Sequence, residues 1–326
     1  MTHDTTTRPA RASDPRDGGL VPAKPRVGDK VFSRLSTGSG VLILAILALV
    51  ATFLVLQAIP ALTSAPAVLA AQGYGEFWAW VIPFAFGTVW ASTWALLFAV
   101  PVAIGIALFI SHYAPRKLAQ GLGYVIDLLA AVPSVVYGLW GFFVLATALQ
   151  PLHVWLTTYL GWIPFFSGDP SGTGRTILTA SLVLAVMILP IITSLCREVF
   201  LQTPRLHEEA ALALGATRWE MVRMAVFPFA RAGIVSAVML GLGRALGETM
   251  AVAMILSGAH VIHVQLTGQQ NPNTIAANIA LNFPEAFGIR VNQLIASGLV
   301  LFIITLVVNM AARWVVNRRA QFSGAN

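Results

Sequence analysis

The sequence predicts an all-α fold, a polytopic membrane bundle of six transmembrane helices. Three observations lead there: 57% of the 326 residues are hydrophobic and 10% charged, uncharged runs recur at membrane-spanning length, and basic residues gather between alternate runs. Soluble domains carry roughly 25% charged residues, so this chain has too little polar surface to wrap a water-soluble globule. A lipid bilayer is the solvent that suits it. The formal charge of +7 does not point to nucleic acid, because the basic residues lie in connections between apolar runs rather than on a discrete polar domain. Cys196 is the single cysteine, which excludes an internal disulfide and a cysteine-based metal site.

Residues 1–40 are polar and rich in Thr, Pro, Arg, Asp and Gly, the composition of a disordered cytoplasmic tail. The first span and its external loop are assigned to 41–86. The run from Val41 to Ile59 is uncharged over 19 residues, close to the roughly 30 Å hydrocarbon thickness at about 1.5 Å per residue. A competing reading takes the small residues Ala65 to Ala67 as a cleavage site. The permease-like core is assigned to 87–315 and a cytoplasmic C-terminal tail to 316–326. Within the core, span two is expected near Gly87 to His112, after an interfacial stretch containing Trp78, Trp80, Pro83 and Phe84. Span three is expected from about Gly123 to Leu149, with Asp127 in its first turn and a kink at Pro133. An external loop follows over 151–174. Arg175 and Arg197 bracket 21 uncharged residues as span four. Spans five and six are expected near Gly233 to Leu256 and Arg290 to Ala312.

Charge asymmetry orients this arrangement. The N-terminal tail, the connections after spans two and four, and the residues after span six together hold 17 of the 20 Lys and Arg residues. That bias predicts cytoplasmic N- and C-termini in a multi-pass protein of the cell membrane.

The connection from Arg197 to Arg231 carries helix punctuation rather than linker composition. Thr203 is placed to cap a helix starting at Pro204 and running through Glu208, Glu209, Ala210 and Ala211 to a stop at Gly215. Thr217, with Glu220 three residues on, forms a capping box for a second helix, which Pro228 is expected to close. One reading is an amphipathic hairpin resting on lipid headgroups. The other is a rigid knob whose small alanines admit a soluble partner. The run Glu209-Ala210-Ala211, then Gly215, then Pro228 resembles the EAA loop in the membrane subunits of binding-protein-dependent ABC importers, with Ala225 and Phe227 standing where Ile and Leu are usual. The resemblance implies that 204–226 couples the chain to an ATPase.

Arg244 falls 11 residues after Gly233, about 17 Å into the bilayer on that count, where an ion is a functional candidate by default. Glu248, four residues on, is expected on the same helical face. The pair either neutralises itself structurally or leaves Arg244 to meet an anionic substrate, its fork of donors matching phosphate oxygens. Gly243 and Gly247 form a small-xxx-small pair for helix packing or gating. The segment Gly241 to Val252 is similar to the signature of phosphate importer permeases, its Met-Ala-Val ending favouring the PstC type over PstA. Residues 131–141, including Pro133 and Ser134, resemble the same family's third-span motif.

That resemblance implies a type I ABC importer permease fold and a non-enzymatic subunit. It implies a homologous second permease, a cytoplasmic ATPase dimer and an external phosphate-binding protein as partners. No cofactor is expected in this chain, with ATP and Mg bound by the ATPase. A stand-alone secondary transporter or channel is the alternative from a different class, and sulfate or molybdate are alternative anions. Gly172-Thr173-Gly174-Arg175-Thr176 lacks the lysine and the spacing of a phosphate-binding loop. His260 and His263 supply too few ligands for a metal.

Overall fold

The computed structural model describes residues 27–64, 76–256 and 258–320. The described residues form helices, turns and two isolated bridges, with no strand ladder among them. Six helical stretches are long and apolar enough to cross a membrane: Gly28–Thr63, Phe77–Tyr113, Ser134–Leu160, Ile177–Leu201, Arg218–Leu246 and Ile289–Trp314. The chain divides into two units, Met1–Thr52 and Phe53–Asn326. The first contains most of α1 (Val27–Thr63), which begins 14 residues before the expected span. Residues 27–40, read as part of the tail, are therefore helical. Asp29 in the first turn suits the helix dipole, and no proline interrupts the chain until Pro60. The rest of the expected tail, 1–26, lies outside the described residues, as do Ala65 to Ala67 and the last residues of the C-terminal tail.

The second unit is organised around α6 (Ile177–Leu201), whose Ile177, Leu184, Ile188, Ile192 and Phe200 are fully buried. Its start is capped by Thr176, whose Oγ1 accepts from Thr179 N at 3.2 Å. Against it lies α2 (Phe77–Leu108), extended by a π-helical turn over Phe109–Tyr113. Ala91, Ala95, Ala99, Ala103 and Ala107 recur every fourth residue along α2 and are all buried. Such a stripe lets two backbones approach closely, and the hydroxyls of Ser181 and Thr193 donate across it to the carbonyls of Ala91 and Ala103 at 3.2 and 3.4 Å. α2 and α6 therefore run in the same direction. The expected interfacial stretch before Gly87 is instead the start of α2, because Phe77 and Val81 bury against Ala58, Ala61 and Ala296.

Pro133 breaks the expected third span rather than kinking it. α3 (Arg116–Ala130) ends, Pro133 takes an extended conformation with ψ 140°, and α4 (Ser134–Trp140) begins. A residue before proline is driven out of the helical region, and the Tyr137 hydroxyl bridges the break by donating to Leu129 O at 2.9 Å. Asp127 thus lies near the end of α3, not in the first turn of a span. The apolar stretch that replaces the expected span runs through α4, a π-helical turn (Gly141–Leu145) and α5 (Ala146–Leu160), taking up residues 151–160 assigned to a loop.

After α6 come α7 (Arg205–Ala213) and α8 (Arg218–Met221), a π-helical turn over Val222–Val226, and α9 (Phe227–Leu246). Pro228 falls in the first turn of α9 and does not close the helix. The wide turn carries the bond from Phe227 N to Val222 O, so the ladder is already shifted where Pro228 lacks a donor. Gly233 packs on Val199, and Gly241 on Ile192 and Ile188, so α9 is antiparallel to α6. The helix stops at Leu246, short of the expected end of span five, and a short α10 (Met250–Ile255) follows. α11 (Ile275–Asn282) and α12 (Ile289–Ala320) complete the unit.

Candidate functional site

The hairpin after α6 is built by local rules. α7 ends with Gly215 at φ +86°, a left-handed conformation that glycine adopts without a Cβ penalty. Gly215 N donates to Leu212 O at 2.9 Å and Ala216 N to Ala211 O at 3.2 Å, the paired closure of a Schellman motif. Thr217 and Glu220 make both bonds of the capping box: Glu220 N donates to Thr217 Oγ1, and Thr217 N donates to Glu220 Oε2 at 2.7 Å. Thr203 is not the cap of α7. Pro204 holds that position, so Thr203 stands one residue too early to reach the first-turn donors, and its buried hydroxyl has no hydrogen-bond partner among the described residues.

No residue of α7 is buried. Glu209 and Ala210 are exposed and Ala211 is half-buried. Leu206 is 74% exposed and Leu214 90%, and together with Ala210, Ala211, Met224 and Ala225 they line a groove of about 460 Å³. Glu208 is the hairpin's tie to α2: its Oε1 lies 3.4 Å from Nε2 of His112, whose Nδ1 is 2.7 Å from Ser111 Oγ. Nothing in the spacing of His112, expected only as the end of span two, relates it to a residue 96 positions away.

Arg244 sits in the last turn of α9, with Gly247 as the C-cap. The helix ends between Arg244 and Glu248, so the expected intrahelical pair does not form, and no ion pair joins them among the described residues. Glu248 is 8% exposed, and its Oε1 accepts from Ala251 N at 3.1 Å, serving the open first turn of α10. At the other end of α10, Arg175 donates from Nε to Ile255 O at 3.1 Å and from Nη2 to Met254 O and Leu256 O. Its guanidinium also lies 5.1 Å from the Phe142 ring centroid. The short helix is thus held at both ends by charged side chains, complementary to its dipole.

The depth of Arg244 follows from its neighbours. Gly241 is level with Ile188 and Ile192, which stand 11 and 15 residues into α6. At about 1.5 Å per residue, and with Arg244 three residues nearer the Ile177 end on the antiparallel α9, Arg244 lies roughly 12–18 Å from that end of a helix about 37 Å long. Its side chain is exposed and lines a cavity of about 620 Å³ shared with Ser236, Met239, Gly243, Asn309 and Arg313.

The glycines divide differently from expectation. A Cβ on Gly243 would meet nothing within 4 Å, and one on Gly247 only Gly243 O at 3.5 Å. Neither makes a close helix contact within this chain. The tight approaches are at Gly138, where a Cβ would come within 2.9 Å of Ala251 Cα, and at Gly141, 2.6 Å from Val183 Cγ2 and 2.8 Å from Ile255 Cδ1. They bring α4 and the turn beyond it, where Pro133 and Ser134 start the segment, against α10. His260 Nε2 is 2.8 Å from Trp80 O, which accounts for that histidine as a tie between a loop and α2.

Residues 99–321 match the model of the binding-protein-dependent transport system inner membrane components. The chain belongs to that family. Among its relatives, the phosphate transport system permease protein PstC 2 of Mycobacterium tuberculosis is 43% identical over 306 residues, covering 88% of this chain and 91% of that protein. The PstC of Mycobacterium leprae is 50% identical over 230 residues, 69% of this chain and 72% of that one. The resemblance to PstC-type permeases drawn from three motifs is therefore borne out along most of this inner membrane component. A bacterial ABC transporter that imports the acidic polysaccharide alginate shares the fold, with a TM-score of 0.58 at 16% identity over 90% of this chain and 99% of that chain. The inward-facing MetNI methionine ABC transporter aligns with a TM-score of 0.50 at 16% identity, over 78% of this chain and 99% of that chain. The inner membrane component is thus a multi-pass membrane protein with the ABC permease fold.

Proposed function

We propose that this chain is the transmembrane permease subunit of an ATP-driven phosphate importer and forms half of its translocation pathway. The observation that carries the reading is Arg244: a guanidinium without an ion-pair partner among the described residues, lining a cavity at mid-depth of the bundle. A permanently charged group at that depth is costly unless it faces water or an anion. The fork of a guanidinium suits the oxygens of phosphate. The substrate is taken from the relatives named for phosphate transport.

The exposed hairpin over 204–226 supports coupling to a separate ATPase dimer that binds ATP and Mg, so the chain itself is no enzyme and needs no cofactor. Its apolar groove flanked by Glu208, Glu209 and Arg205 has the make-up of a docking surface with a polar rim. The remaining partners are a homologous second permease, toward which the open face of Gly243 and Gly247 is suited, and an external phosphate-binding protein. The positive-inside bias supports cytoplasmic termini.

The test is phosphate uptake by the full complex in proteoliposomes. Arg244→Gln is expected to abolish ATP-dependent uptake while the complex still assembles. Normal uptake by that variant returns Arg244 to a structural role. Uptake of sulfate or molybdate in place of phosphate keeps the architecture and changes the anion, and uptake without ATP favours a stand-alone transporter or channel.

A further inference from the structure

Arg244 does not line its cavity alone. The wall opposite α9 is contributed by α12, and it presents Asn309 and Arg313, with Ser236 on α9 completing the polar lining. Two arginines therefore line one space of about 620 Å³. Arg313 is exposed and, like Arg244, has no ion-pair partner among the described residues. Two like charges that share a cavity repel each other when it is empty and are drawn together by an anion between them. Moreover, α9 and α12 run in opposite directions. On α12, Ala296 packs on Phe77 and Val81, near the start of α2, and Val308 lines a pocket with Leu242 and Leu246 of α9. Val308 is thus level with Arg244, and Arg313, five residues further along α12, lies roughly 7 Å nearer the Leu201 end, where the α7 hairpin sits.

We propose that Arg313, with Asn309 and Ser236, forms a second station for a tetrahedral oxyanion, which it receives from Arg244 and releases on the hairpin side. This rests on the reading of the chain as an anion permease. Guanidinium, amide and hydroxyl together match an oxyanion: the first supplies charge and paired donors, the other two supply neutral donors. A second cation lowers the barrier to leaving the first, because the anion need not cross apolar wall such as Met239 and Val235 without a counter-charge. The station is open, which suits release rather than storage.

The experiment uses the assembled complex with Cys196, which is buried, replaced by alanine. Asn309→Cys places a thiol beside Arg313, and its modification is followed with an anionic sulfonate thiol reagent and a cationic trimethylammonium one. Inorganic phosphate is the competing ligand. The expected results are faster reaction with the anionic reagent, slowing by phosphate, and loss of both effects in Arg313→Gln. In parallel, Arg313→Gln is expected to lower phosphate uptake about ten-fold, the scale of one lost charge-assisted contact, with binding-protein-stimulated ATP hydrolysis retained. Arg313→Lys is expected to keep most uptake. Equal rates with the two reagents, no protection by phosphate, or full uptake by Arg313→Gln would overturn the station. If Arg313→Gln does not assemble, protection at Asn309→Cys with Arg313 intact still decides it. If the wild-type complex takes up no phosphate, sulfate takes the place of phosphate as the competing ligand, and its protection of the Asn309→Cys thiol refutes the substrate while leaving the station standing.

Discussion

His112 and Glu208 meet across 3.4 Å at the Leu201 end of the bundle, joining the turn that ends α2 to the first turn of the exposed hairpin. Of the two, His112 is largely buried and stacks edge-on with Phe200, 6.5 Å between ring centroids. A force applied to α7 therefore has a direct polar contact to α2, besides the covalent path through Leu201.

This contact leads to a first expectation. Such a pair contributes up to about 1 kcal/mol to stability, so Glu208→Ala, a truncation on the exposed hairpin that leaves the largely buried His112 packed on Phe200, should leave folding nearly unchanged. Its effect should appear in coupling, as fewer phosphate ions moved per ATP hydrolysed in proteoliposomes. An unchanged ratio would confine the pair to a local packing role.

The left-handed residue that ends α7 supplies another. Gly215→Ala puts a Cβ on a backbone with φ +86°, a cost of about 1 kcal/mol. Hydrogen exchange over 204–226 should accelerate several-fold, while the buried amides of α6 keep their protection. Unchanged exchange would show that the turn relaxes to negative φ.

Glu248 and its replacements separate charge from capping. Glu248→Ala removes the acceptor for Ala251 N and should destabilise the start of α10 by about 1 kcal/mol. Glu248→Gln retains an acceptor oxygen and should unfold within a degree or two of wild type in detergent, whatever it does to uptake. Equal losses in the two variants would mean that the negative charge, not the hydrogen bond, holds α10.

Two glycines should respond in opposite ways. Gly141→Ala brings a methyl within 2.6 Å of Val183 Cγ2 and should cost about 1–3 kcal/mol through overpacking, seen as a lower midpoint in thermal unfolding. Gly243→Ala meets nothing within 4 Å in this chain and should leave the isolated subunit's midpoint in place. A deficit for Gly243→Ala confined to the assembled complex would locate the sister subunit on that face.

Much of this was readable from the residues. The uncharged runs gave the number of spans, since the hydrocarbon layer admits only long apolar helices there. The hairpin was legible down to its capping box and its left-handed glycine, because caps and turns are decided within a few residues. Arg244 was legible as an ion in an apolar run. What could not be read was longer in range. The ladder of alanines in α2 is visible as a period, but only the hydroxyls of Ser181 and Thr193 on another helix show what it faces. Pro133 and Gly247 mark weak points, and whether each kinks a helix or ends it depends on what packs beside it.

By itself, then, the sequence determined that the chain crosses a membrane six times, carries a punctuated hairpin and holds a cation within an apolar stretch. These follow from composition, periodicity and local hydrogen bonding, all of which act over a few residues. The tertiary structure decided that Glu248 caps α10 instead of pairing with Arg244, that Arg175 holds the far end of that helix, and that Arg313 shares a cavity with Arg244. Each of those outcomes joins residues from different segments, and only the packing of helices against one another brings such groups within reach.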